Sequence, residues 1–144
     1  MKNLILMFLI GGVLLLLATS CSTKATGQSP SASNDKTASA YHKLTAAEAK
    51  EMIDDGAPAI VDVRTAAEYA ERHIPGAILI PNETIQKTPP KELADFNAPI
   101  IVYCRTGVRS KQAANKLVAM GYTRIYDVGG ITTWPYETVS GTGE

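Results

Sequence analysis

Cysteine is scarce in this chain: among 144 residues only Cys21 and Cys104 carry a thiol. Two cysteines cannot form a disulfide scaffold or close a zinc site. Charge of one sign is also missing, because 14 Lys and Arg balance 14 Asp and Glu. That excludes a nucleic-acid binder working through a broadly basic surface. No apolar run reaches the roughly 20 residues a helix needs to cross a bilayer; the charge-free stretch at residues 4–18 is shorter and contains Gly11 and Gly12. The length supports one domain.

Lys2 precedes the apolar stretch, and Ala18, Thr19 and Ser20 lead into Cys21. A charged start, an apolar middle and small residues before a cut form the pattern of an export signal, which assigns residues 1–20 to a leader. The same small residues resemble a bacterial lipobox, with Ala18 where Leu is usual and Leu17 one step earlier. The resemblance implies cleavage before Cys21 and lipidation of that cysteine. Acyl chains contribute about 0.8 kcal/mol per buried methylene, and stable attachment takes more than one. The expectation is a protein tethered to a membrane at the periplasmic or extracellular face of a bacterial envelope. Loss of Lys2 with the leader leaves 13 basic against 14 acidic residues, near −1.

Residues 22–40 contain five Ser, three Thr and four Ala but no Leu, Ile, Val or aromatic residue. Such a segment has nothing to bury and reads as a solvated linker, averaging about 25 Å end to end as a flexible coil. With Cys21 it forms a tether over 21–40, followed by a folded domain over 41–139 and a tail at 140–144.

Inside the domain, Thr45 with Glu48 and Thr65 with Glu68 are capping boxes that predict two helix starts; Gly56 with Pro58 predicts the end of the first helix, and residues 73–76 the end of the second. The apolar β-branched runs 59–63, 77–80, 99–103 and 124–128 read as strands. Residues 82–98, with Pro89 and Pro90 in the middle, suggest short helices on either side. Residues 110–120 place Ala113, Ala114, Leu117 and Val118 on one helical face, with Gly121 as the C-terminal cap. Strands alternating with helices predict a parallel α/β sheet covered on both faces.

In such sheets ligands bind beyond the carboxyl ends of strands. Cys104-Arg105-Thr106-Gly107-Val108-Arg109 occupies that place, between the clearest strand and the clearest helix. The first amides of a helix have no partner within it and its dipole leaves partial positive charge there, so the loop forms an anion cradle. Gly107 lets the backbone curl inward. A thiol at that mouth, between Arg105 and Arg109, is pushed toward thiolate, the form that attacks. The arginines add the capacity for bidentate recognition of an oxyanion.

The sequence resembles the rhodanese family of sulfurtransferases. The resemblance rests on Ile60-Val61-Asp62-Val63-Arg64, Glu68-Tyr69, His73-Ile74-Pro75-Gly76-Ala77, the run from Ile101 through Cys104 to Ser110, Gly121-Tyr122 and the run from Val128 to Trp134. It implies a five-stranded parallel sheet between helices, a single-domain thiosulfate sulfurtransferase-like activity, and Cys104 as the nucleophile within a loop of Arg105, Thr106, Gly107, Val108 and Arg109. The Cys104 thiolate would take sulfur from a small anionic donor such as thiosulfate. The persulfide would then be held by the amides of 105–109 and passed to cyanide or a thiol. No metal and no organic cofactor is called for. Cysteine phosphatases of related fold place five residues between Cys and Arg. Here four separate Cys104 from Arg109, and Ser110 stands where a phosphatase needs Arg, which makes phosphatase and arsenate reductase minor readings. The same residues are also compatible with an idle adaptor module and with a persulfide carrier that serves a partner protein.

Asp62 and Arg64 end a strand on the catalytic side. The carboxylate either positions loop amides or an arginine, or belongs to a strand-end turn with a surface ion pair. Glu68 is first a capping residue and second a partner for Arg109. Arg105 projects either at the pocket mouth or into solvent. His73 at a helix end is assigned no base role, His42 is expected on the surface, and Trp134, Tyr122 and Tyr126 are expected to pack.

Overall fold

The computed structural model describes residues 40–142. The expected leader at 1–20, Cys21 as the expected lipidation site, the expected linker up to residue 39 and the last two residues of the tail lie outside the described residues. Among the described residues no helix is long and apolar enough to cross a membrane.

The chain runs β1 (Tyr41–Lys43), α1 (Ala46–Gly56), β2 (Ala59–Asp62), α2 (Ala66–Glu71), β3 (Ile78–Leu79), β4 (Ile100–Cys104), α3 (Val108–Ala119) and β5 (Ile125–Gly130), then a 3-10 turn (Ile131–Thr133). All strand pairs are parallel, in the order β1-β5-β4-β2-β3. The pattern of apolar runs gives four of these strands. The fifth, β1, has three residues, too few to show a period. Ile125 N–H donates to Ala40 O at 2.8 Å, so pairing begins at the last linker residue.

β4 is buried along its whole length, as a central parallel strand covered on both faces must be. Its side chains alternate. Ile100, Val102 and Cys104 face a cluster with Ala113, Ala114 and Leu117 of α3, while Ile101 and Tyr103 face Ala49 of α1, Tyr69 of α2 and Trp134. Period two along the strand thus puts Cys104 on the face covered by α3.

Both capping boxes form. Thr45 and Thr65 accept from the Glu48 and Glu68 amides at 3.3 Å, and the two carboxylates reach back to the threonine amides. Residues 82–98 contain no helix; isolated turns at Pro81, Pro90 and Asp95 hold Ile85 and Leu93 in the core. Prolines at 89 and 90 remove the amide donors that a helix there would need.

The first helix ends differently from the expectation. Gly56 is its last helical residue, and Ala57 carries the left-handed turn with φ 48° and ψ 57° before Pro58 stops the ladder. A Cβ in that region costs energy that glycine does not incur. Ala57→Gly is expected to raise the unfolding free energy by about 0.5–1 kcal/mol, measured by urea unfolding; an unchanged or lower value contradicts the left-handed turn.

Candidate active site

Cys104 ends β4 with 1% of its surface exposed, under a loop whose outer residues Arg105, Thr106 and Val108 face solvent. α3 begins at Val108 with Gly107 as its N-cap at φ +106° and no side chain capping its amides. The contrast with α1 and α2 is chemical: their first amides bond to Thr and Glu side chains, whereas those of α3 remain for something else. The Gly107 N–H donates to Cys104 Sγ at 3.1 Å. The amide and the positive end of the α3 dipole therefore act on the sulfur together.

The loop is shaped from outside. β4 and β5 slip register between Val102 and Tyr103, so that Cys104 pairs with Gly130, where an unbroken register would give Gly129. A Cβ on Gly130 would stand 2.6 Å from Arg105 O and 2.8 Å from Thr106 Cα, so only glycine allows the loop backbone to lie on β5 there. Gly107 lies against Gly129, its ideal Cβ in ordinary contact at 3.4 Å from Gly129 Cα, so its φ of +106° rather than lack of space favours glycine there. Gly129 is held by its amide, which donates to Oδ1 of the buried Asp127 at 2.9 Å. The other oxygen of Asp127 accepts from Tyr41 Oη at 2.9 Å and pairs with Lys43 Nζ at 3.2 Å. Burial, followed by that hydrogen bond to Asp127, pushes the Tyr41 hydroxyl up to about 12. Thr132 completes the frame, its amide and hydroxyl both donating to Arg105 O, and Ser110 Oγ donates to Gly107 O at 3.0 Å.

Two ion pairs flank the loop. Arg109 grips Glu68 with two parallel bonds, Nη1 to Oε2 at 2.8 Å and Nη2 to Oε1 at 2.7 Å, so its guanidinium is engaged by α2 rather than open to an oxyanion. The Arg109 hydrogen bond, with support from the Thr65 amide and hydroxyl, lowers Glu68 from 4.5 to about 2 against the effect of burial. Glu68 is therefore both the cap of α2 and the anchor of the loop's second arginine.

Asp62 and Arg64 are both buried. Asp62 accepts from Arg64 Nε, Nη2 and the backbone amide at 2.6–3.0 Å, and Arg64 Nη2 also donates to Arg72 O at 2.6 Å. Burial opposes the charge on Arg64, but the hydrogen bonds and charge of Asp62 outweigh it and hold the guanidinium above its ordinary pKa. The structure thus joins Asp62 to an arginine and not to the amides of the Cys104 loop. Arg105 is exposed and, with Arg64, Arg72, Glu68 and Thr132, lines a cavity of about 270 Å3 beside the loop.

His73 is buried, with Nδ1 2.9 Å from Tyr69 O and its ring stacked on Tyr69 of α2, while its backbone pairs with that of Val139. His42 is exposed, while Tyr122 and Trp134 are buried in the two clusters. Among the described residues no group of three His, Cys, Asp or Glu could hold a metal ion. Sequence reasoning missed Asp127, Thr132 and Arg72. The runs 73–77 and 128–134 lie beside or around them without indicating their contacts, and the Gly129-Gly130 pair ending a strand marks a close backbone approach.

The Glu68 pair has a pH signature. Its carboxyl lies at about 2 in the fold against an ordinary 4.5, so its contribution is complete above the unfolded value and disappears as pH falls from 4.5 toward 2. Glu68→Gln should be less stable than the parent by a constant margin above pH 5, with the margin closing toward pH 2 in thermal unfolding. A margin independent of pH would show that the carboxylate charge contributes nothing.

Comparison with known proteins agrees with this geometry. The family described as "Rhodanese-like domain" matches residues 45–136. A thiosulfate sulfurtransferase GlpE from Haemophilus influenzae (strain PittEE) is 37% identical over 95 residues, covering 65% of this chain and 88% of that protein. The Coxiella burnetii (strain RSA 331 / Henzerling II) protein of the same name is 34% identical, with 65% and 87% covered. Among solved structures, a rhodanese with anions from E. coli matches at TM-score 0.54 and 34% identity, covering 58% of this chain and 98% of that one. With a family match over most of its length and relatives covered almost end to end, this chain belongs to the rhodanese-like domain family.

Proposed function

We propose that this protein is an exported, lipid-anchored sulfurtransferase that carries sulfane sulfur on Cys104. The observation that carries the reading is the Gly107 amide directed at Cys104 Sγ from the uncapped start of α3. Relatives at 34–37% identity bear the name thiosulfate sulfurtransferase, which supports thiosulfate as the class of donor.

In the first half-reaction the Cys104 thiolate attacks the terminal sulfur of the donor, the donor's S–S bond breaks, and sulfite leaves with the bonding pair. The outer sulfur now carries negative charge beneath the loop, where the amides of 105–109 stabilise it as an oxyanion hole stabilises a developing alkoxide. In the second half-reaction cyanide or a thiol takes that sulfur, and the pair from the broken bond returns to Sγ. With Cys104 1% exposed, the approach suits a narrow terminal sulfur atom rather than a bulky phosphoryl ester. Arg105, exposed beside the loop, is assigned the attraction of the anionic donor, and Asp62 with Arg64 braces the floor of the site.

Export and anchoring rest on the leader pattern at 1–20 and on Cys21. A lipidated Cys21 would leave Cys104 as the sole free thiol of the mature chain, so no internal disulfide could form and turnover would depend on an external acceptor.

Intact-mass measurement of the purified protein after thiosulfate treatment should show the gain of one sulfur atom on Cys104, removed by cyanide with formation of thiocyanate. Cys104→Ser should show neither. A parent protein that takes up no sulfur, or a Cys104→Ser variant that retains thiocyanate formation, overturns the reading.

A further inference from the structure

Beside the Cys104 loop, Arg72 and Arg105 border one cavity of about 270 Å3, and the fold fixes the backbone of both. The Arg72 carbonyl is held by Arg64, which Asp62 holds in turn. The Arg105 carbonyl is held by the amide and hydroxyl of Thr132. The Arg72 side chain makes one long bond, Nη2 to Ile131 O at 3.4 Å.

Among the described residues neither Arg72 nor Arg105 forms an ion pair. Glu68 also borders the cavity, but Arg109 occupies both of its carboxylate oxygens. Glu71 borders it as well and is the one lining carboxylate without such a partner among the described residues. Three lining arginines, one of them neutralised by Asp62, against one unpaired carboxylate leave the cavity with positive charge in excess. Two guanidinium groups on positioned backbones form a ready receptor for a carboxylate.

We infer that this cavity is the acceptor subsite, and that the acceptor class it selects is a small thiol bearing a carboxylate. The inference rests on the sulfurtransferase reading above, and reach is what separates acceptor from donor. In thiosulfate the anionic oxygens lie on the atom bonded to the transferred sulfur, so a donor's charge stays at the loop. The cavity borders the loop through Arg105 and is walled on another side by Arg72, at the far end of α2. A ligand whose reacting sulfur is at Cys104 and whose charge is at Arg72 needs carbon atoms between the two, and a mercaptocarboxylate has them. A cavity of this volume admits a small molecule and excludes a folded partner.

The acceptor enters as a thiol. Its sulfur bonds to the negatively charged outer sulfur, and its proton passes to that sulfur. The Sγ–S bond breaks, its electron pair returns to Sγ, and the acceptor leaves as its own persulfide. No further oxidant or reductant is required.

The test uses the full chain with thiosulfate as donor and compares 3-mercaptopropionate with its methyl ester as acceptors. Arg72→Gln should raise KM for the acid about tenfold, the scale of one lost charge-assisted contact, with kcat and the ester's KM changed less than about twofold. Arg72→Lys should recover part of the loss. Comparing parent with variant for each acceptor cancels the intrinsic reactivity of the two thiols. Equal changes for acid and ester, no change for either, or a rise in KM for thiosulfate instead overturns the acceptor subsite. Failure of the parent to take up sulfur on Cys104, read by mass in the same samples, would overturn the sulfurtransferase reading and this inference together. A persulfide that forms normally with no acid preference overturns the inference alone.

Discussion

The hydrogen bond from the Gly107 amide to Cys104 Sγ exists because a parallel strand delivers its last side chain directly under the start of the next helix. Two features of that junction support the proposal that Cys104 is the nucleophile. β4 is buried on both faces, so its terminal residue sits where water does not compete strongly for the sulfur. And α3 alone among the three described helices begins without a side-chain cap, leaving amides and dipole facing the thiol. Fill that cap with a Ser or Asp side chain, and the amides would be satisfied internally.

The rest of the site serves to hold this junction open and in register. The slip between β4 and β5 sets Gly130 opposite Cys104, and Gly129 and Gly130 underlie the loop, where a Cβ on Gly130 would press on its backbone. Asp127 fixes the first of them through its amide, and its own buried charge is answered by Lys43 and Tyr41 of β1. The edge strand thus acts on the loop through one carboxylate. On the other side, the Arg109–Glu68 pair ties α3 to the capping box of α2. Removing one partner of a half-buried pair costs more than the pair contributes, since the other is left uncompensated.

Helix starts at Thr45 and Thr65 were legible because a capping box is local chemistry: four residues contain the whole interaction. The central strands were legible because β4 and β2 are continuous apolar runs. β1 escaped notice because three residues carry no period, and 82–98 was misread because Ile85 and Leu93 reach the core from turns, not from helices. At the site, the loop from Cys104 to Arg109 could be read as a cradle from its sequence position alone, and Glu68 could be named as a partner for Arg109. Asp127, Thr132 and Arg72 could not, because their roles depend on contacts between residues far apart in the chain. The partner of Asp62 is the reverse case: Arg64 stands two residues away, yet only burial distinguishes this bidentate pair from an ordinary surface contact.

The central claim is that the amides of the Cys104 loop receive the transferred sulfur. A crystal structure of the protein after thiosulfate treatment tests it most directly. The account predicts one additional sulfur atom bonded to Sγ, lying inside the curl of residues 105–109 within hydrogen-bond distance of their backbone amides. An unmodified Sγ, or an added sulfur turned away from these amides into the apolar cluster of Val63, Ile80 and Ala113, would contradict it.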